Sequence, residues 1–271
     1  MIGEFRRVYR RWRKLRHQNR ALLRVSPRAC PRRDLRYARA EELDDTFRSP
    51  ALHGEWAELE CIFAATCSIE DGKTGGVNPG DRRALYYLVR GLKPRRVLEI
   101  GTHVGASTFH IAAALERNRH EDPADTGHLT TVDIEDVNNE CTASWKRLGL
   151  SMSPAGMMAT LGCEDRVRFV CDDSVSFLEN SAERFDFIFL DGSHAARLVY
   201  QEIPLALSVL SDGGSILLHD YFPENRPLWS DGEVVPGPCL AVRRLRSEDA
   251  KIDVMPPGAL PCPGPRNLVV R

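Results

Sequence analysis

The stretch Val97-Leu98-Glu99-Ile100-Gly101-Thr102-His103-Val104-Gly105-Ala106-Ser107-Thr108 constrains this chain more than any other. An apolar run carrying one acid meets two glycines, and the residues that follow read as a helix. A strand, a tight glycine turn and a helix start bring backbone N–H groups close to a nucleotide-like ligand. The spacing here is Glu-x-Gly-x-x-x-Gly, whereas a pyrophosphate site carries Gly-x-Gly-x-x-Gly. An acid at the strand end, with no third glycine, suits a ligand bearing an amino group or ribose hydroxyls.

Four more runs have the same form. Leu129–Glu135 ends in acids, and Asp133 lies about one βαβ half-unit beyond the glycine turn, where an acid can accept from ribose hydroxyls. Arg166–Asp173 ends in Asp172 and Asp173. Phe185–Asp191 is apolar almost throughout, as a strand covered on both faces should be. Ser215–Asp220 follows the turn Ser211-Asp212-Gly213-Gly214. The intervening segments 108–117, 139–148, 174–180 and 197–210 are expected to be helices. Alternating strands and helices, with polar residues gathered at strand C-termini, describe an open parallel sheet whose ligand crevice lies along that edge. S-adenosylmethionine carries both an amino group and ribose hydroxyls and suits such a crevice.

Val97–Ser107, Thr131–Glu135, Asp186–His194 and Leu210–Tyr221 resemble the successive motifs of class I S-adenosylmethionine-dependent methyltransferases. The nearest resemblance is to small-molecule O-methyltransferases of the catechol and macrolide-sugar group. Asp191-Gly192-Ser193-His194, Gly213-Gly214 and His219-Asp220-Tyr221 are its most specific part, and it covers roughly residues 75 to 221. The resemblance implies an α/β, doubly wound, mostly parallel seven-stranded Rossmann-like sheet with a reversed last strand. Residues 251–255 and 267–271 are expected to be the sixth and seventh strands. The expected organisation is a basic extension over 1–45, a helical cap over 46–90 and a cofactor-binding methyltransferase domain over 91–271.

The same resemblance assigns roles. Glu99, Gly101, Gly105 and Ser107 would hold the methionine end of the cofactor, and Asp133 its ribose. Asp172 or Asp173, with Ser174, would sit beside the adenine; for Asp173 a helix N-cap is the competing role. Asp191 and Asp220 end adjacent strands, so their carboxylates can converge on a Mg²⁺ ion, which prefers oxygen ligands and retained waters. Relatives of the catechol type place an asparagine ligand where this chain has Tyr221, a departure that weakens the metal reading. Without metal, Asp191 would cap its turn and Asp220 would bond to the next loop. His194 stands where catechol-type relatives have lysine, and an imidazole there can accept a proton from a substrate hydroxyl. His219 would alternate to the opposite face unless the strand has ended, which leaves it a supporting or substrate-contacting role. His103 receives no chemistry.

The expected enzyme therefore methylates a hydroxyl of a small molecule such as a sugar, phenol or secondary metabolite. Nucleic acid bases are disfavoured as acceptors, because the fourth strand lacks the Asn/Asp-Pro-Pro-aromatic sequence that grips an amino group. A cofactor-binding module without turnover is the alternative from another class. Eight cysteines show no Cys-x-x-Cys pair and no zinc spacing, which points to reduced thiols in a cytoplasmic protein, though Cys61 and Cys67 are close enough in sequence to pair.

The net charge of −1 hides an asymmetry. Residues 1–40 hold fourteen Lys/Arg against Glu4 and Asp34, leaving twenty-three against thirty-six for the remainder. Phe5, Val8, Tyr9, Trp12, Leu15, Leu22 and Leu23 fall near helical spacing in that tail. Three roles stand open for it: packing on the acidic body or in a homo-oligomer, peripheral contact with the inner face of a membrane, or contact with nucleic acid phosphates. Residues 51–67 and 81–91 are expected to be helices flanking a glycine-rich loop. In that loop Lys73, Thr74, Gly75 and Gly76 would approach the ligand. The methionine-rich piece 151–162 is either a substrate-side flap or core.

Overall fold

The computed structural model describes residues 2–31, 44–67, 76–222, 234–250, 252, 254–255 and 268–270. Four helices lead in: α1 (Ile2–Leu22), α2 (Asp44–Arg48), α3 (Pro50–Thr66) and α4 (Pro79–Leu92). Strand β1 (Arg96–Ile100), α5 (Ala106–Glu121), β2 (His128–Asp133), α6 (Ser144–Arg147), α7 (Pro154–Leu161), β3 (Val167–Cys171) and α8 (Ser174–Asn180) follow. The chain then forms β4 (Phe185–Leu190), α9 (Ala196–Val209), β5 (Leu210–Leu218), α10 (Gly237–Ser247), β6 (Val254–Met255) and β7 (Leu268–Val270).

Five strands run parallel in the order β3-β2-β1-β4-β5, and β7 pairs antiparallel with β5 and with β6 beyond it, so β7 is the reversed strand. The chain winds outward from β1 to β3 and returns to place β4 on the other side of β1. That reversal opens a crevice beyond the C-terminal ends of β1 and β4.

Strand alternation sorts the core. Val97, Phe187, Phe189 and Leu217 pack with α3, α4, α5 and α7 on one face. Leu98, Ile100, Ile188, Leu190, Ile216 and Leu218 pack with α8, α9 and α10 on the other. Both faces of the sheet are thus covered, and this explains the near-continuous apolar runs of the central strands.

Helix starts follow local chemistry. Ser49, Asn78 and Ser153 each cap a helix whose first turn carries a proline, and Asp173 caps α8. Buried arginines then bind α3, α4 and α5 together. Arg90 pairs with Glu55 at 2.9 Å and Glu121 at 2.5 Å, and Arg82 pairs with Glu60 at 2.9 Å.

One expected helix is shorter, and two segments whose roles stood open are placed. The helix expected over 139–148 shrinks to Ser144–Arg147, because Asn139 Oδ1 accepts from the Cys141 and Thr142 amides and holds a turn there. The piece 151–162 forms α7, with Met157 and Met158 1% exposed, so it is core and not a flap. Only the last third of α1 enters the body, where Leu22 is buried against the α9/α10 side while Val8, Tyr9 and Trp12 stay exposed. Among the described residues no helix is long and apolar enough to cross a membrane, and the described cysteines, Cys61 and Cys67 among them, are free thiols.

Candidate active site

A cleft of about 420 Å³ lies at the C-terminal edge of the sheet. Its lining includes Gly101, His103, Ser107, Asp133, Asp172, Asp173, Ser174, Asp191 and His194. Most of these were expected from sequence. Lys73, Thr74 and Gly75 fall outside the described residues, whereas Gly76 and Val77 border the cleft.

Backbone bonds extend the ladder one step past each strand and so fix the edge. Gly101 N–H donates to Val132 O, Asp172 N–H to Asp133 O, Asp191 N–H to Ile100 O and His219 N–H to Leu190 O. Gly101 has φ +99°, and a Cβ there would stand 2.4 Å from the Asp191 carbonyl oxygen. Only glycine lets β1 and β4 close at this point. Gly105, at φ +82°, opens α5 and lies against Pro154 and Met157 of α7, so α7 backs the glycine turn.

Glu99 sits behind this turn, fully buried and outside the cleft lining. One oxygen, Oε2, accepts from the Thr108 and Thr131 hydroxyls at 2.6 Å each, while Oε1 has no partner. Burial raises its pKa to about 7 despite these bonds. Asp133 is braced by the His103 amide at 2.8 Å and the Glu135 amide at 3.0 Å. His103 itself adopts φ +49°, and its buried Nδ1 lacks a partner. Asp173 accepts from the Val175 and Ser176 amides at 3.1 Å, so the capping role holds for it, while Ser174 donates to Glu202 at 2.6 Å.

The densest electrostatics lie where β4 and β5 end. His219 Nε2 stands 3.1 Å from Asp81 Oδ2, and its Nδ1 is 2.8 Å from Asp191 Oδ1 and 3.7 Å from Asp220 Oδ2. The Nδ1–Asp191 approach is an ion-pair distance without hydrogen-bond alignment. Burial alone would lower the His219 pKa, but the charge of Asp191, with the carboxylates of Asp220 and Asp81 beside it, holds it well above the usual histidine range. Alternation holds as far as His219, whose amide still bonds to Leu190 O and whose ring lies against Phe189 and Asp81 on the α4 face, and the chain turns at Asp220, where φ is +51°. His194 Nε2 completes the group, 3.5 Å from Asp220 Oδ2 and 4.0 Å from Asp191 Oδ1.

Asp81 is the residue that sequence reasoning missed. It lies in the first turn of α4, 0% exposed, with its amide bonded to the Asn78 cap. Asn-Pro-x-Asp announces a helix start, which masks the second use of that carboxylate.

The residues fit S-adenosylmethionine. A glycine cradle, the braced carboxylate of Asp133 and the unpartnered Nδ1 of His103 border a cleft of ligand size, with Glu99 behind the cradle. They do not fit a magnesium ion. The space between Asp191 and Asp220 is taken by an imidazole N–H, whereas magnesium asks for oxygen donors in an octahedron. Among the described residues no group of three or more His, Cys, Asp or Glu is arranged to hold a metal.

Residues 98–221 match a family model described as a methyltransferase domain. Tapetum-specific methyltransferase 1 of Arabidopsis thaliana is 26% identical over 181 residues, spanning 65% of this chain and 68% of its own length. The O-methyltransferase TomG of Streptomyces achromogenes, solved with SAM and involved in tomaymycin synthesis, is 20% identical with a TM-score of 0.50. That likeness covers 82% of this chain and 89% of TomG. An O-methyltransferase from Bacillus cereus, solved with SAH, is 21% identical with a TM-score of 0.52, covering 80% of this chain and 89% of its own. The two structures share the fold described above. Over residues 98–221, then, the chain is similar to methyltransferase domains.

Proposed function

We propose that this chain transfers a methyl group to a hydroxyl of a small molecule, a sugar, phenol or secondary metabolite. The observation that carries this reading is the convergence of Asp191, His194, His219 and Asp220, of which Asp191 and His194 line the cleft beside the glycine turn. In this reading 91–271 is the catalytic unit, 46–90 borders its cleft and 1–45 is an extension.

Gly101, Gly105 and Ser107 receive the methionine end of the cofactor, with Glu99 bracing them from behind through Thr108 and Thr131. Asp133 accepts from the ribose hydroxyls with the lone pairs that the His103 and Glu135 amides leave free. Asp172 and Ser174 border the adenine. When bound, S-adenosylmethionine supplies a methyl group activated by its sulfonium and departs as a thioether.

His194 takes the proton of the acceptor hydroxyl on Nε2 as the oxygen–carbon bond forms. Asp220, 3.5 Å away, stabilises the imidazolium that results. His219 holds Asp191 in place and offsets the repulsion between the two carboxylates. Much of the rate comes from holding hydroxyl and methyl donor in near-attack geometry. No step runs through a metal. The magnesium-assisted variant, which the catechol-type likeness implies, is the second reading, and it requires the His219 imidazole to leave the space between Asp191 and Asp220.

Calorimetric titration with S-adenosylhomocysteine, followed by turnover of hydroxylated sugars and phenols in EDTA and in Mg²⁺, tests both. Binding together with turnover in EDTA supports the metal-free O-methyl transfer. Turnover only with Mg²⁺ selects the second reading, and absence of cofactor binding overturns both.

A further inference from the structure

The two ends of α1 have opposite surroundings. Near its C-terminus the helix is fastened to the body. Leu22 is 1% exposed, Gln18 Oε1 accepts from the Ala196 amide at 2.9 Å, and Arg244 donates to the Val25 carbonyl at 2.7 Å. Just past the helix, the Arg28 amide donates to the Tyr200 hydroxyl at 3.1 Å. Ala196 opens α9 two residues after His194, so the helix is rooted at the rim of the cleft.

Toward the N-terminus, Val8, Tyr9 and Trp12 are exposed among the described residues, by 62%, 52% and 49%. Tyr9 stacks on Trp12 with centroids 6.1 Å apart, and the Arg16 guanidinium lies 5.1 Å over the Trp12 ring. At 100° per residue Val8 and Trp12 continue the arc that Leu15 and Leu22 begin, while Arg13, His17, Arg20 and Arg24 occupy the opposite arc. Arg13, Lys14, Arg16, Arg20 and Arg24 are exposed, and no acid occurs between Phe5 and Arg33.

An exposed Tyr–Trp pair bordered by arginines has the composition of a helix lying in a lipid headgroup region, where aromatic rings are half-wetted and long cationic side chains reach phosphate. A second copy fits less well. Self-pairing of this face would bring two strongly cationic helices together. Three side chains also supply far less than the roughly 800 Å² per partner of a stable interface.

We propose that α1 is a surface anchor that docks this protein on an anionic lipid bilayer. Val8, Tyr9 and Trp12 enter the headgroup region, and Arg13, Lys14, Arg16 and Arg20 contact lipid phosphates. The anchor does not depend on the catalytic reading, because α1 contributes no residue to the cleft lining.

The test is co-sedimentation of the full chain with vesicles of phosphatidylcholine, and of phosphatidylcholine mixed with phosphatidylglycerol. The expected result is binding to the mixed vesicles that raised salt weakens. Paired substitutions Tyr9→Ser with Trp12→Ser, and Arg13→Glu with Lys14→Glu, each lower it about tenfold or more. The altered side chains are exposed, so circular dichroism and the thermal midpoint stay unchanged and separate loss of binding from loss of folding. Failure to bind mixed vesicles overturns the proposal, as does binding that the substitutions leave intact. A dimer in sedimentation velocity that Trp12→Ser dissolves also overturns it, and assigns the face to a second copy.

Discussion

His219 and Asp81 meet at 3.1 Å across 138 residues of sequence, joining the end of β5 to the first turn of α4. The same imidazole lies 2.8 Å from Asp191. One side chain therefore positions the catalytic strand end against the segment that borders the cleft. Replacing it removes one cationic partner from two carboxylates, one of them 0% exposed. His219→Ala should lower unfolding stability by about 3–5 kcal/mol in a urea titration near neutral pH. A loss well under 1 kcal/mol would mean that water already screens this pair.

His194 has a different task. It is 39% exposed at the side chain and stands 3.5 Å from Asp220. His194→Gln keeps the polarity of the loop but cannot take up a proton. It should reduce kcat by about 10²–10⁴-fold. S-adenosylhomocysteine affinity by calorimetry and the thermal midpoint should not move. Unchanged kcat would remove His194 from the proton transfer.

Two glycines separate close approach from backbone freedom. Gly101 and Gly149 both have positive φ, but a Cβ at Gly101 would meet the Asp191 backbone at 2.4 Å, whereas one at Gly149 meets nothing within 4 Å. Gly149→Ala should cost about 1 kcal/mol through φ alone. Gly101→Ala carries that cost and must also push β4 from β1, so it should destabilise by at least about 2 kcal/mol more and weaken cofactor binding. Equal effects in parallel urea titrations would show that the strand ends tolerate separation.

The parallel strands and their acidic ends were legible because burial on both faces forces apolar runs, and the polar residue after each run marks the edge. Asp133, Asp191, Asp220 and the glycine turn followed from that rule. Asp81 did not, because Asn78-Pro79-x-Asp81 satisfies helix capping completely and leaves no visible surplus. His219 follows alternation onto the α4 face; what alternation could not show is the left-handed turn at Asp220, which brings that carboxylate within 3.7 Å of the same imidazole. The unequal halves of α1 were also hidden. Its apolar spacing is continuous, and only the position of α9 and α10 decides where contact stops.

The last prediction concerns pH. Glu202 on α9 is 2% exposed, and burial raises its pKa to about 7, with the Ser174 hydroxyl at 2.6 Å opposing the shift and Asp173 adding to it. The unfolded carboxyl titrates near 4.5, so between about 4.5 and 7 the folded chain binds more protons. Stability from this group is therefore intact below about 4.5 and falls as pH rises to about 7. Glu202→Gln keeps an oxygen for the Ser174 hydroxyl and removes the titration. Relative to wild type, the variant should gain about 1–3 kcal/mol between pH 5 and pH 8 in paired urea titrations. Glu99 titrates in both proteins and cancels in the difference. Profiles that stay parallel from pH 5 to pH 8 would show that Glu202 is hydrated in the folded state and that burial is not what sets its ionisation.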